Sequence, residues 1–415
     1  MDISNISLNE GINRKEDESI IKNTFMASVK VGDDLFFSSW TNNGLYKMNL
    51  LTGESEFICF IGDGETNVGA YGDAIYYAGS IWLLPARANS IIRIELQTFR
   101  MEKLALPIVE EDKINNNCSK FHCCYREGER YIWLIPFGYP LFLRVDLQEC
   151  RVEIVNTEWP GCKWNNRTVN FGDACIIDDE IWVCPHDYKD ILIYNVVTNY
   201  IEVVSYKADW TKYGKVKRYN DWVIFFPIMM DDSIIMIHSK TREKKIISMK
   251  SYKIPGLYYA IEIIEDYAIL APFMNGIYFN INLDKGTINI NEEIHNTFIA
   301  RQADNERYYH SFVDGGRVYF VSDRTANPMF VYDVKNDMGE FRYVFCRSKL
   351  YKNKFDELVR NDKELIRSIF FDKNDAIVES AIPLESFLDL VEANEEKSGK
   401  TFLGNAIWHY LVKGE

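Results

Sequence analysis

Seven short strings of nearly continuous apolar residues recur along the chain: DLFFSS (34–39), SIWLLP (80–85), YIWLIP (131–136), EIWVCP (180–185), WVIFFP (222–227), YAILAP (267–272) and RVYFVS (317–322). They end at residues 39, 85, 136, 185, 227, 272 and 322, so the repeat is 42 to 51 residues long. Five end in proline, and five carry an aromatic residue at the third position: Phe36, Trp82, Trp133, Trp182 and Tyr319. The segments around each string alternate apolar and polar positions and are rich in β-branched and aromatic residues, which predicts strands rather than helices. Residues 121–156 show the whole unit: FHCCYRE, the string YIWLIP, then LFLRVDL and RVEIVN, with turns between them. IIRIEL, ILIYNV and GIYFNINL take the third-strand place in other units. Turn residues fall where this grammar needs them, at Thr52-Gly53, Lys285-Gly286 and Gly315-Gly316.

Four antiparallel strands repeating at this period make a propeller blade, whereas a helical repeat would need a 3.6-residue period that is absent. The chain is therefore predicted to be all-β: a seven-bladed β-propeller of four-stranded antiparallel blades with a small C-terminal helical tail. The predicted blades span about 25–60, 68–106, 120–157, 168–206, 213–250, 257–293 and 308–348. Residues 1–24 are read as a loose polar N-terminal segment, 25–349 as the propeller and 350–415 as a mostly helical extension. Within the extension, 350–366 and 384–394 place apolar residues on one helical face. The extension is expected to pack on the ring and seal the seam between blades one and seven. The repeated prolines read as strand ends, because proline lacks the ladder N–H. The repeated tryptophans read as packing between blades.

Val318-Tyr319-Phe320 followed by Phe330-Val331-Tyr332-Asp333 resembles the kelch-type propeller repeat, in which an I-Y-V strand is followed by a loop and a V-Y-D strand. The resemblance covers roughly residues 25–348. It departs from the kelch pattern in one respect: proline stands where paired glycines end the second kelch strand. The chain is also similar to uncharacterised bacterial propellers. These resemblances imply the fold and leave the activity open, since propellers host many functions.

Composition narrows the partners. There are 61 acidic and 47 basic residues, for a net charge of −14, which argues against nucleic acid. A chain that is 47% hydrophobic and 14% aromatic is not a disordered one. No run approaches the roughly 20 apolar residues that cross a bilayer, and MDISNISLNEGINRKEDES has no apolar signal core. The expectation is a cytoplasmic protein with no membrane contact. The nine cysteines are odd in number and form no C-x-x-C pair, so they read as small buried hydrophobes in a reducing compartment. His122, Cys123 and Cys124 suggest zinc at first sight, but adjacent strand residues point to opposite faces, and no metal is expected. No P-loop, G-x-G-x-x-G, H-E-x-x-H or G-x-S-x-G motif is present, and no cofactor is expected.

Function is expected on the face that gathers the loops between second and third strands and the entries into first strands. The ligand-binding candidates there are Trp40, Asn42, Arg87, Asn89, Tyr139, Asn166, Arg167, Tyr259, Asn275 and Arg324. Arg87, Arg167 and Arg324 hold like positions in separate blades, and guanidinium forks suit carboxylate or phosphate. Aromatic rings beside Asn suit a sugar or peptide. His122, His186, His310 and Tyr188 are the catalytic candidates if the face carries an enzyme. The sequence thus points to a binding or scaffold protein for a polar or anionic ligand, a sugar-containing molecule or a peptide, with a protein partner as a further option. The alternative is an enzyme acting on a glycan or peptide in the same funnel.

Overall fold

The computed structural model describes residues 20–40, 44–61, 69–115, 118–126, 128–155, 159–165, 167–205, 212–229, 233–249, 257–273, 278–290, 294, 308–322 and 328–347. The predicted C-terminal helices lie outside these residues. The predicted fold is the observed one: seven four-stranded antiparallel blades, each with its strands in sequence order. The seven apolar strings are the seven second strands, Asp34–Ser39, Ser80–Pro85, Tyr131–Pro136, Glu180–Pro185, Trp222–Pro227, Tyr267–Ala271 and Arg317–Ser322.

These strings are continuous rather than alternating because a second strand is buried on both faces. In the first, Leu35 and Phe37 enter the core shared with blade seven, while Phe36 enters the core shared with blade two. In the second, Trp82 and Leu84 face blade three, while Ile81 and Leu83 face blade one. Among the described residues there are seven apolar cores, each between two neighbouring blades. The fourth strands lie outermost and show it: in Ile201–Ser205, only Val204 is buried. Basic side chains seal several cores from the rim. Arg93, Arg144 and Arg242 lie over the rings of Trp82, Trp133 and Trp182 at 5.8, 5.7 and 4.9 Å, in cation–π contact. Arg242 also grips Glu180 and Glu202 of blade four at 2.6 and 2.8 Å, tying blade five to it.

The ring closes by strand addition to blade one. Its sheet has six strands, because Phe345–Arg347 pairs in parallel with Glu54–Phe60 and Ile20–Lys22 pairs outside that. Two expected boundaries therefore shift. Residues 20–22 are an edge strand rather than loose polar chain, and 345–347 belong to blade one rather than blade seven. The join is well bonded: Asn23 N donates to Val344 O at 2.8 Å, Phe345 N to Gly53 O at 3.1 Å and Ser55 Oγ to Phe345 O at 2.9 Å.

Gly53 makes this approach possible. Its φ is +73°, and a Cβ there would stand 2.4 Å from Tyr343 O. Gly53→Ala is expected to destabilise the ring by about 1–3 kcal/mol, from left-handed strain and the clash together. That corresponds to a fall in Tm of about 2–8 °C by calorimetry. An unchanged Tm would show that closure does not depend on this contact.

Candidate ligand site on the propeller axis

The innermost strand of each blade runs along the axis: Phe25–Val31, Tyr71–Tyr77, Phe121–Cys124, Phe171–Ile177, Tyr213–Tyr219, Ala260–Ile264 and Tyr308–Asp314. Several share a device. A buried aromatic residue opens the strand, the register then slips, and a titratable residue follows: Tyr71 then Asp73, Phe171 then Asp173, Tyr213 then Lys215, Tyr308 then His310. The slip is a β-bulge, which re-aims the next side chain and often sits beside a site. Three of the four bulges contain glycine: Gly72, Gly172 and Gly214. At Gly172 the reason is space, since a Cβ would meet Tyr213 O of the next blade at 2.1 Å.

The result is a cavity of about 430 Å³ on the axis, lined by Asp73, His122, Asp173, Lys215 and His310, with Lys217, Glu262 and Ser311 further along it. Contacts link these groups from blade to blade. His122 Nδ1 lies 3.5 Å from Asp173 Oδ1, and Lys215 Nζ lies 3.8 Å from Asp173 Oδ2. Val216 N donates to the same carboxylate at 3.2 Å. Lys217 Nζ donates to both oxygens of Glu262 at 3.0 Å, and Ser311 Oγ donates to Glu262 at 3.0 Å. Ser28 Oγ stands 3.4 Å from His310 Nε2. The chain of contacts thus runs from blade three through blade seven to blade one. Blade two supplies Asp73, which has no ion-pair partner among the described residues and accepts a hydrogen bond from the Ala74 N–H.

Burial sets the protonation states. It pushes His122 down to about 4 against the pull of Asp173, and His310 down to about 3 with help from the Lys215 and Lys217 charges. It pushes Asp73 up to about 6, partly offset by Lys215. Both histidines are neutral at neutral pH. His122 Nδ1 faces a carboxylate and so carries the proton. Its Nε2 is then an acceptor, buried and without a hydrogen-bond partner. Tyr259 and Tyr309 line the same cavity, with ring centroids 5.4 Å apart and Phe273 at 5.2 and 5.8 Å from them.

The candidates from the sequence divide. His122, His310 and Tyr259 line the axial cavity. His186 sits apart from it, with Nδ1 3.2 Å from Asp187, which itself pairs with Lys212 at 2.6 Å. Tyr188 donates to Pro160 O at 2.5 Å. Tyr139 is buried in the core between blades two and three and donates to Pro107 O. Arg87 is half-buried with its guanidinium 5.8 Å from the Trp40 ring. Asn89 is exposed, as is Arg167, whose N–H is held in a turn by Asn165. Asn42, Asn166, Asn275 and Arg324 lie outside the described residues. Asp73, Asp173, Lys215, Lys217 and Glu262 were not among the expected residues, because loops were weighed above strands. For Asp73, Asp173 and Lys215 the signal is a charged residue two places after the aromatic residue that opens a first strand.

A larger depression of about 880 Å³ lies on the opposite face, between turns of blades one, six and seven. Its charges include the pairs Lys30–Asp314 and Arg317–Asp333, and it is walled largely by turn residues, so the axial cavity is the better site.

The architecture makes this chain a seven-bladed β-propeller with a polar axial cavity. No protein-family model matches it, the kelch-type pattern included, and no curated protein matches it in sequence. Solved structures match in fold. A streptogramin B lyase aligns at a TM-score of 0.55 and 15% identity, covering 73% of this chain and 92% of that one. Virginiamycin B lyase from Staphylococcus aureus, solved with quinupristin, aligns at 0.54 and 12%, covering 74% and 94%. An extracellular domain from B. thetaiotaomicron aligns at 0.53 and 11%, covering 73% of this chain and 38% of that one.

The folded state favours the neutral acid at Asp73, whose pKa is raised from 3.8 to about 6. Its stabilising contribution is present below the ordinary carboxylate range and is lost as pH rises through about 6. Asp73→Asn, which mimics the neutral acid, is expected to raise Tm by about 2–4 °C near pH 8 and to change it little near pH 4. Equal effects at both pH values would contradict the burial of this carboxyl.

Proposed function

We propose that this propeller is a binding protein that takes a small polar ligand, a sugar-containing molecule or a peptide, into its axial cavity. The observation that carries the proposal is the cavity itself: about 430 Å³, walled by titratable side chains from six blades, five of them joined by contacts between blades. Groups already held in place cost little to order when a ligand arrives. Deep cavities with a few converging polar groups are the usual sites for small molecules. We place the protein in the cytoplasm, in keeping with eight free cysteines among the described residues. Among the described residues no helix is long and apolar enough to cross a membrane.

The anion-binding role expected for the arginines is not needed in this reading. Neither Arg87 nor Arg167 lines the axial cavity. A second reading, an enzyme in the same cavity, is favoured by one observation: His122 has Nδ1 beside the Asp173 carboxylate and a bare Nε2. A neutral imidazole oriented this way can accept a proton from a bound substrate. In virginiamycin B lyase, a histidine-to-alanine variant is described as catalytically inactive.

Equilibrium dialysis of the protein against a mixture of small cellular metabolites, read by mass spectrometry, tests the site. Wild type should retain a polar compound that Ser119→Trp, which fills the cavity wall, no longer retains. Retention by both proteins alike would contradict the axial site. His122→Ala should preserve binding in the first reading, and should stop conversion of the retained compound in the second.

A further inference from the structure

One carboxylate of the axial cavity stands apart from the others. Asp73 has no ion-pair partner among the described residues, and the hydrogen bond from the Ala74 N–H leaves most of its acceptor capacity open. The other carboxylates of the cavity are occupied: Asp173 by Lys215, His122 and the Val216 N–H, Glu262 by Lys217 and Ser311. Lys215 and Lys217 are therefore turned toward these partners. Arg218, at the far end, is exposed and donates to Asn220 O at 3.1 Å. A buried acceptor left unmet costs free energy that a donor from a ligand recovers. The aromatic faces of Tyr259 and Tyr309 line the same space and suit a cation or a sugar face.

We propose that the ligand carries a primary ammonium group, whose N–H donors engage the Asp73 carboxylate while its body lies against Tyr259 and Tyr309. This deepens the binding reading given above and rests on it. An ammonium offers several N–H donors and no acceptor, which matches a carboxylate with open lone pairs and disfavours a second carboxylate at that end of the cavity. An amino sugar and a free-amine peptide share this chemistry. Binding also has a pH sign. A cation holds Asp73 in its charged form, so affinity falls as pH drops below about 6. The charged groups facing Asp73 are Asp173, Lys215 and Lys217, and the His122 and His310 rings of the same cavity stay neutral down to about 4 and 3.

Calorimetric titration of the full chain with two matched pairs tests the proposal: glucosamine against N-acetylglucosamine, and tyrosinamide against N-acetyltyrosinamide. One free amine, and not its acetylated partner, should bind near pH 7, and which one it is separates sugar from peptide. Asp73→Asn should weaken that binding at least about tenfold, with Tm confirming that the variant is folded. Lowering the pH to about 5 should weaken it by a similar factor, since the amine gains no neutral fraction there while Asp73 is protonated. Acetylated compounds that bind as tightly, and are displaced by Ser119→Trp, would overturn the ammonium assignment and leave the axial site standing. Amine binding that Ser119→Trp does not affect would overturn both. Absence of binding by all four compounds would overturn the ammonium assignment.

Discussion

The second strand of every blade buries side chains on both of its faces, so no blade is satisfied until it has a neighbour on each side. A row of such sheets would leave an apolar face bare at each end, and a bare face of that kind invites association. Curling the row into a ring removes both ends at once. The cost falls on the join between blades one and seven, which is made from the segments that flank the seven blades. Here Phe345–Arg347 and Ile20–Lys22 are added to blade one, and Tyr319, Val321, Met329 and Val331 of blade seven pack on Phe37, Tyr46 and Phe57.

The same closure makes the axial site. Seven first strands converge on one line, where their inner edges have no further strand to pair with. Polar side chains there meet across blades rather than within them, as in Lys217–Glu262–Ser311 and His122–Asp173–Lys215. Burial against the walls moves the protonation states of Asp73, His122 and His310 in the directions desolvation requires. Packing of the ring and chemistry of the axis are thus one arrangement. A change that opens the ring is expected to wet the axis and return these groups toward their ordinary behaviour.

Much of the fold was legible because burial on two faces leaves an unusual mark. Strings such as SIWLLP and EIWVCP match observed second strands residue for residue. The join was not legible: Phe345–Arg347 is three residues long and pairs with a strand almost 300 positions away, which no local pattern encodes. The site was half legible. His122, His310 and Tyr259 were expected and do line the cavity, because they stand at strand entries on the loop face. Tyr139 was expected as a loop residue, yet it folds back into a core, where its hydroxyl finds Pro107 O. Asp73, Asp173 and Lys215 were passed over because they stand inside first strands rather than in the loops where function was expected. A bulge flips the face on which later residues point, and strict alternation does not show it.

The central claim is that a closed ring holds a polar axis whose partly buried histidines stay neutral. Nitrogen NMR of the imidazole rings, with His122 and His310 assigned through His→Gln variants, measures this directly. Both rings are expected to remain neutral at about pH 5, in line with pKa values pushed down to about 4 and 3. Titration of either ring near the ordinary value of about 6.5 would contradict it.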